Sequence, residues 1–268
     1  MKIYSLRYPD ELHESVTPYS LAIGFFDGVH EGHQAVIRQA VNIAEKKGIT
    51  PAVMTFDPHP SYLFKKEEDR IEYVTPREEK VRLLEKLGVE VLFVVTFDWA
   101  LASLSPEQFV DVFIRQMNVR HVTAGFDFTF GQKGKGTMDV MKQLAHGDYE
   151  TTTVEKVTLN GEKVSSTRTR QYIQEGRVEE AAALLGRPYR TIGTVIDGDK
   201  RGRTIGFPTA NLKVDPLFVQ PKQGVYAVQV NGFVNPKAIA AEELAAQQKQ
   251  ITAAKAQRSW SVIFKALQ

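Results

Sequence analysis

The chain has 268 residues, of which 43% are hydrophobic and 25% charged, the composition of a globular protein that buries a sizeable core. Lys and Arg outnumber Asp and Glu by only 34 to 32, and this near balance argues against a general nucleic-acid-binding protein. The chain has no cysteine, which excludes disulfides and thiolate zinc sites, and no apolar run approaches the ~20 residues of a membrane span. We therefore expect a cytoplasmic protein without nucleic-acid or membrane partners, and the length favours two domains.

Strand-like and helix-like segments alternate through the first 185 or so residues. Apolar runs rich in β-branched residues predict buried strands, and apolar residues at helical spacing that end at a glycine predict helices. In chain order these are a strand at 20–25, a helix at 34–47, a strand at 51–56, a helix at 75–87, a strand at 89–97, a helix at about 105–117 and a strand at 121–124. The alternation predicts an α/β fold with a doubly wound, Rossmann-like parallel sheet, which binds ligands at the carboxyl ends of its strands.

A different pattern begins at a Gly-Arg-Pro sequence, where a predicted domain at 1–185 gives way to a second at 186–268. In the second domain, β-branched segments at 191–195 and 224–230 are separated by Gly- and Pro-rich turns, which predicts a small antiparallel β-barrel. The Ala- and Gln-rich sequence from 236 onward predicts a C-terminal helical tail with a weak apolar stripe.

The sequence GFFDGVHEGH at 24–33 lies where the first predicted strand turns into the first long helix. Its glycines let the backbone approach a ligand closely, and the free N–H groups at the start of the helix form an anion site. His30 and His33 stand about one turn apart, so their ring nitrogens can face one phosphate, and Gly32 between them leaves room for a bulky nucleotide. The alternative is a histidine pair that caps the helix or binds an adventitious metal ion.

A second candidate phosphate site is the sequence VSSTRTR at 164–170, ahead of a predicted helix at 171–175. Hydroxyls at 165–167 can donate to phosphate oxygens, and the Arg168 guanidinium can fork onto them and stabilise departing pyrophosphate. The alternative is an N-cap cluster, which is compatible with phosphate binding. If the attacking group is an anionic phosphate ester, these groups suffice, because catalysis then needs alignment and charge neutralisation rather than a general base.

Together the two motifs resemble the H-x-G-H nucleotidyltransferase superfamily. Three further sequences, TFDPHP at 55–60, GFDFTFGQKGKG at 125–136 and GTVIDGDKRGRTIGFPTANL at 193–212, narrow the resemblance to the bifunctional bacterial riboflavin kinase/FAD synthetases over roughly residues 1–230. The resemblance implies that the first domain transfers the adenylyl group of ATP to FMN, giving FAD and pyrophosphate. It also implies that the barrel phosphorylates riboflavin, and that Mg²⁺ accompanies ATP.

The resemblance implies roles for individual residues. The catalytic residues are His30, His33 and Arg168, and the ATP-binding residues are Gly24, Phe25, Asp27, Gly28, Ser165, Ser166 and Thr167. The flavin-binding residues are Asp57, Pro58, His59, Phe126, Asp127 and Phe128. Aromatic rings suit a planar isoalloxazine, and core packing is the alternative for each phenylalanine. The ATP-binding residues of the kinase module are Gly202, Arg203, Gly206, Thr209 and Asn211, with Thr209 and Asn211 as oxygen ligands of Mg²⁺.

After residue 232 the sequence departs from the family pattern. The family continues with further strands and an acidic residue that activates the riboflavin hydroxyl, whereas residues 233–268 hold only two carboxylates, Glu242 and Glu243, in a helical pattern. We therefore expect riboflavin kinase activity to be weak or absent. An incomplete barrel leaves strand edges uncovered, and we expect either the apolar tail around Trp260 or a second copy of the chain to cover them.

Two other functions stay open on the sequence alone. One is an H-x-G-H adenylyltransferase that acts on another phosphate ester, such as phosphopantetheine or nicotinate mononucleotide. The other is a non-catalytic flavin-binding or regulatory protein that keeps the fold without turnover.

Overall fold

The computed structural model describes residues 1–10, 13–64, 72–196, 211–234 and 258–265, within two compact units, Met1–Thr167 and Arg168–Gln268. No helix within these ranges has both the length and the apolar character needed to cross a lipid bilayer. The domain boundary expected at 185/186 from the change in sequence pattern stays a prediction.

Six parallel strands form the sheet of the first unit. They are β1 (Lys2–Leu6), β2 (Tyr19–Ile23), β3 (Thr50–Asp57), β4 (Val91–Thr96), β5 (Val119–Gly125) and β6 (Glu150–Val154). Across the sheet their order is β1-β4-β3-β2-β5-β6, and each neighbouring pair is parallel. The predicted doubly wound α/β fold is confirmed for this unit.

Helices follow most of these strands along the chain. They are α1 (Glu31–Lys47), α2 (Arg77–Lys86), α3 (Trp99–Ala102), α4 (Pro106–Val110), α5 (Met138–Gln143), α6 (Ser166–Glu175) and α7 (Val178–Leu185). A π-helical turn at Asp111–Arg115 continues α4, and 3₁₀ turns lie at Pro60–Phe64 and Gln132–Gly134. α1 ends where the sequence predicted, because Gly48 takes the left-handed C-cap conformation at φ 64°.

The sheet is covered on both faces, which explains why its central strands are apolar at nearly every position. Leu21 and Ile23 of β2 pack on one face with Met54, whereas Ala22 packs on the other face with Val53. Each fully buried large apolar side chain contributes about 1.5–3 kcal/mol. The strand order reverses beside β2, and the crevice at the carboxyl ends of β2 and β5 is the position where such sheets bind ligands.

A short hairpin that the sequence analysis did not predict follows β6. Its strands β7 (Thr158–Leu159) and β8 (Glu162–Lys163) pair antiparallel. Between them, Asn160 and Gly161 have φ values of 54° and 81°, the positive values that a type I′ turn requires. An Asn-Gly pair is a strong hairpin signal, so this element was readable from the sequence.

Four antiparallel strands form the sheet of the second unit. They are β9 (Arg190–Ile196), β10 (Asn211–Val214), β11 (Ala227–Val234) and β12 (Arg258–Lys265), in the order β10-β9-β12-β11. The antiparallel pairing agrees with the expectation for this region. Closure of the sheet into a barrel stays a prediction.

The predicted C-terminal helical tail is wrong at its end, because residues 258–260 begin β12. β12 pairs with both β9 and β11, so it covers one edge of each strand. Its sequence RSWSVIFK is rich in the aromatic and β-branched residues that favour strands, unlike the Ala- and Gln-rich sequence before it. Residues 236–257 of the predicted tail lie outside the described residues.

Candidate active site

A cavity of about 720 Å³ opens at the carboxyl ends of the parallel strands of the first unit. Its walls are the turn after β2 with the first turn of α1, the ends of β3 and β4, the loop after β5, and the segment from the end of β6 to the start of α6. This position is the topological switch point of the sheet, and the volume is that of a site for a nucleotide-sized molecule.

Most of the site residues predicted in the first domain line this cavity. They are Gly24, Phe25, His30, His33, His59, Phe126, Asp127, Phe128, Ser165, Ser166 and Thr167. Asp27 and Gly28 are instead buried within the turn, and Asp57 lines a separate small chamber. Pro58 follows Asp57 through a cis peptide bond.

The turn after β2 has a strained backbone. Phe26, Gly28 and Val29 have positive φ values of 55°, 87° and 41°. Side chains rarely adopt this region, and β-branched residues such as valine do so least. Strain of this kind costs about 1–3 kcal/mol per non-glycine residue and persists only where surrounding contacts fix the backbone.

Contacts from two distant segments fix this turn. Thr75, just before α2, donates its N–H to Asp27 Oδ1 at 3.0 Å, and its hydroxyl accepts the N–H of Gly28 at 2.8 Å. From the start of α6, the Ser166 hydroxyl donates to the Asp27 carbonyl oxygen at 2.7 Å. The buried Asp27 carboxylate therefore stabilises the conformation of the turn by accepting a hydrogen bond from Thr75.

The two histidines lie side by side at the start of α1. His30 is the N-cap, and its Nδ1 accepts the backbone N–H of His33 at 3.2 Å. The rings stack with centroids 3.6 Å apart at 18°. Because Nδ1 is an acceptor, a neutral His30 ring carries its proton on Nε2. Since α1 begins at Glu31 rather than at the predicted residue 34, His33 lies inside its first turn. The two histidines therefore both cap the helix and line the cavity, so the two alternatives considered for them are compatible.

The segment at 165–167 forms part of another wall of the cavity. The predicted helix at 171–175 begins earlier, at Ser166, so most of the Ser-Thr-Arg sequence lies inside α6. Serine and threonine compete with the helical backbone for hydrogen bonds, but the Ser166 hydroxyl is engaged by the turn after β2. Arg168 donates through Nε and Nη2 to the Tyr172 hydroxyl at 3.0 and 2.8 Å. Its role as a phosphate clamp stays a prediction.

Aromatic rings cover a further part of the cavity. The Phe25 ring meets the His59 ring edge-on at 4.3 Å, and the Phe128 and Phe130 rings stack at 5.9 Å. Phe128 packs partly against the core, whereas Phe126 is 42% exposed and is therefore not a core residue. A planar apolar ligand would find a matching surface here.

Three cations outside the predicted set, Lys133, Lys156 and Lys163, also line the cavity. Lys163, in β8, forms an ion pair with Asp127 Oδ2 at 2.5 Å, and its Nζ lies 4.7 Å from the centroid of the Phe126 ring. The hairpin thereby brings positive charge to a site with phosphate-binding features. A surface lysine cannot be recognised as a site residue from its residue type alone. The Asn-Gly turn beside Lys163 was the sequence signal that could have predicted the hairpin that carries it.

A second chamber of about 30 Å³ lies behind the Phe25 side chain, and Thr55, Asp57 and Lys80 are among its lining residues. Burial lowers the pKa of Lys80 to about 8, although the nearby carboxylates of Asp27 and Asp57 act to raise it. Lys80 is not among the residues predicted from the sequence, because a lysine in an amphipathic helix ordinarily faces solvent.

Four residues predicted for the kinase module, Gly202, Arg203, Gly206 and Thr209, lie outside the described residues. Asn211 is exposed at the start of β10 and lies opposite Ile196. In the part of the chain that the structure describes, no group of three or more His, Asp or Glu side chains is arranged to hold a metal ion. The Mg²⁺ ligands Thr209 and Asn211 stay predictions.

Two family models match the chain. One, described as FAD synthetase, matches residues 12–168, and the other, described as riboflavin kinase, matches residues 185–254. A bifunctional riboflavin kinase/FMN adenylyltransferase from Listeria monocytogenes is 52% identical over 214 residues, which cover 79% of this chain and 68% of the relative. A protein of the same description from Bacillus subtilis is 50% identical over 237 residues, which cover 87% of this chain and 75% of the relative.

A solved structure also resembles the chain over most of its length. It is a Streptococcus pneumoniae protein described as a macrolide-efflux protein, with a TM-score of 0.82 and 29% identity. The match covers 98% of this chain and 90% of that one. The two proteins therefore share a fold.

Proposed function

Because this chain belongs to the family of bifunctional riboflavin kinase/FMN adenylyltransferases, we propose that it transfers the adenylyl group of ATP to FMN, forming FAD and pyrophosphate. The observation that carries this proposal is the stacked pair His30 and His33 at the N-terminus of α1, on the wall of a cavity of about 720 Å³. Imidazole N–H groups and the N-terminus of a 17-residue helix both favour a phosphate at this point.

In the proposed reaction, an oxygen of the FMN phosphate attacks the α-phosphorus of ATP. The bond from that phosphorus to the oxygen bridging to the β-phosphate breaks, and pyrophosphate leaves. The attacking oxygen is already anionic, so no side chain has to remove a proton. The work of the protein is to hold the two phosphates in line and to neutralise the charge on the transferring group.

The residues of the cavity divide these tasks. His30, with its proton on Nε2, donates to an α-phosphate oxygen, and His33 holds the same phosphate from one turn along. The hydroxyls at 165–167 hold the departing pyrophosphate, together with Arg168 at the next position of α6. Mg²⁺, when bound with ATP, supplies further charge neutralisation to the triphosphate.

The flavin ring takes the aromatic part of the cavity. The exposed face of Phe126 and the Phe25–His59 pair offer apolar and edge-on contacts to an isoalloxazine. Lys163 holds Asp127 in place beside this surface. These contacts favour FMN over phosphate esters that have no flat ring system.

A second activity, phosphorylation of riboflavin by ATP, is favoured by the match of the riboflavin kinase model to residues 185–254. Glu242 and Glu243, the two carboxylates at 233–268, do not lie in a strand pattern like the one that holds the family's acidic base, so neither is assigned that role. Both glutamates lie outside the described residues.

The test is incubation of the protein with Mg²⁺-ATP and one second substrate at a time, followed by chromatography of flavins and measurement of pyrophosphate. FMN should give FAD with equimolar pyrophosphate, and conversion of riboflavin to FMN would show the second activity. Pyrophosphate released with phosphopantetheine or nicotinate mononucleotide, but not with FMN, would identify the other adenylyltransferase. Binding of FMN without FAD formation would identify the non-catalytic alternative.

A further inference from the structure

Lys80 is a buried cation whose contacts point to the strained turn rather than to solvent. It lies on the buried face of α2 and is only 7% exposed. Its Nζ donates to the Phe25 carbonyl oxygen at 2.7 Å and to the Thr55 hydroxyl at 3.2 Å. The Thr55 hydroxyl itself donates to the Phe25 carbonyl oxygen at 2.8 Å. These three groups form a closed triangle behind the cavity wall.

This triangle lies at the start of the strained turn, since Phe25 directly precedes its positive-φ residues. Phe26, Gly28 and Val29 have positive φ values, and His30 comes next. Thr75 holds the middle of the turn through Asp27 and Gly28, and Lys80 holds its first residue from the same segment. Residues 75–80 therefore fix the strained turn both at its first residue, Phe25, and at its middle residues, Asp27 and Gly28.

We propose that Lys80 is a positioning residue for adenylyl transfer: by anchoring the Phe25 carbonyl and the Thr55 hydroxyl to α2, its ammonium group keeps the turn in the conformation that presents His30 and His33 to the cavity. The inference rests on the proposed function. Phe25 connects the hydrogen-bonded triangle to the cavity. Its carbonyl oxygen accepts from Lys80, and its ring lines the cavity against His59. The Lys80 Nζ also lies 4.4 Å from the centroid of the same ring.

The charge of Lys80 is sensitive to pH near neutrality. The groups that face it or line its chamber are Asp27 in the turn after β2, Asp57 at the end of β3, and Tyr73 and Arg77 before and at the start of α2. Glu79, its buried neighbour on α2, is paired with Arg82. Burial lowers the Lys80 pKa to about 8 against the opposing effect of the two aspartates. Loss of that proton removes the charged donor from the triangle.

The test compares Lys80→Met with Lys86→Met, a control at an exposed position on the same helix. In Lys80→Met, the Thr55 hydroxyl still satisfies the Phe25 carbonyl, so folding is retained while the ammonium tie is lost. We expect kcat for FAD formation at pH 7 to fall about tenfold or more with an unchanged melting temperature, since small displacements of catalytic groups have effects of this size. Lys86→Met should match the wild type. Lys80→Arg, which keeps a charged donor, should recover part of the rate.

The pH profile separates positioning from a general structural role. The wild-type rate should decline above pH about 8, where Lys80 loses its proton, and this decline should be absent in Lys80→Met. A Lys80→Met rate within about twofold of the Lys86→Met rate, an unchanged alkaline decline, or a rate loss that merely follows a lowered melting temperature would each overturn the inference.

Failure of the proposed function gives a different result. If the wild type forms no FAD at all, that function is wrong, and calorimetric titration with ATP then tests Lys80 on its own. ATP affinity about tenfold weaker in Lys80→Met than in Lys86→Met would support the positioning role. Equal affinity would overturn it.

Discussion

The two histidines of the cavity are engaged differently, although they belong to one motif. His30 uses Nδ1 to cap α1, which places the proton of its neutral ring on Nε2. His33 contributes its backbone N–H to that cap and packs its ring edge-on against Phe26 at 5.3 Å. Replacement of His30 therefore alters the helix start as well as the site, whereas replacement of His33 leaves the capping hydrogen bond in place.

His33→Ala is for this reason the cleaner test of phosphate stabilisation. We expect the adenylylation rate to fall at least about tenfold, the usual effect of removing one donor to a transferring group, with FMN still bound. The measurement is FAD formation together with quenching of FMN fluorescence. The control is His146→Asn, at an exposed position with φ 46°, a conformation that asparagine also adopts. An unchanged rate in His33→Ala would remove this residue from the chemistry.

Lys80 also predicts how stability depends on pH. Its pKa is about 8 in the folded protein and about 10.5 in the unfolded chain, so the unfolded chain binds more protons between these values. The free energy of unfolding of the wild type relative to Lys80→Met should therefore rise with pH across this window, by a total approaching about 3 kcal/mol. Urea denaturation at pH about 7.5 and about 10 measures the difference, with Lys86→Met as the reference. If the difference in free energy of unfolding between the wild type and Lys80→Met did not change with pH, the lowered pKa of Lys80 would be contradicted.

Residues next to one another in the chain were predicted more successfully than residues joined across it. The motif at 24–33 holds its glycines and histidines within ten positions, so spacing alone brought them to one helix start. Thr75 and Lys80 meet the same turn from 47 and 55 positions away, and no local pattern records such a contact. A threonine before Pro76 suggests only the start of a helix.

At the scale of whole elements, the site depends on how α1 and the β7–β8 hairpin approach each other. Gly32 lies in the first turn of α1, and a Cβ there would meet His30 Cε1 at 3.2 Å and Val157 Cβ at 3.9 Å. Val157 and Lys163 belong to the segment that closes the cavity opposite this turn. The absence of a side chain at residue 32 thus sets the width between the helix and the hairpin segment.

Gly32→Ala should narrow this gap. The nearest atoms are those of the His30 ring, so we expect the ring to shift by a few tenths of an ångström and kcat to fall about tenfold. Thermal stability should change little, because alanine favours the helix by about 0.5–1 kcal/mol over glycine and this gain offsets the contact. Asn42→Ala, at an exposed position of the same helix, is the control without a contact to the site. Full activity in Gly32→Ala would show that the gap is not limiting.

The hairpin itself is tested by Lys163→Met. The Lys163–Asp127 ion pair is 44% and 57% exposed, so its loss should cost less than about 1 kcal/mol of stability. Its contact with the Phe126 ring lies on the proposed flavin surface, and we expect KM for FMN to rise about fivefold with little change in kcat. Lys142→Met, at an exposed position of α5, should leave KM unchanged. A change in kcat without a change in KM would argue against a flavin-positioning role.

The elements that the sequence predicted best are those buried on both faces. β3 and β4 are apolar runs bounded by turns, and both were placed to within two residues. β6 has the sequence ETTTV at the edge of the sheet, where one side is open to water and no apolar pattern is needed. β12 was missed because its eight residues follow a long Ala- and Gln-rich sequence that dominates any helical window.

At the scale of the whole molecule, the two matched families occupy separate parts of the chain. The FAD synthetase match ends at 168 and the riboflavin kinase match begins at 185. All residues that line the cavity lie at or before Thr167. The proposed adenylyl transfer therefore draws its cavity-lining groups from the first unit, and the PTAN sequence at 208–211 belongs to the second.

This separation predicts that substitutions in one part leave the chemistry of the other intact. Thr209→Ala removes a hydroxyl expected to bind Mg²⁺-ATP in the kinase module, so it should reduce the conversion of riboflavin to FMN while FAD formation from added FMN stays at the wild-type rate. His33→Ala should do the reverse, since its ring lies in the cavity of the first unit. Chromatography of the flavins formed from riboflavin and from FMN, with both variants in parallel, reads the two activities separately. Loss of FAD synthesis in Thr209→Ala would mean that adenylylation needs residues of the segment matched by the riboflavin kinase model, 185–254.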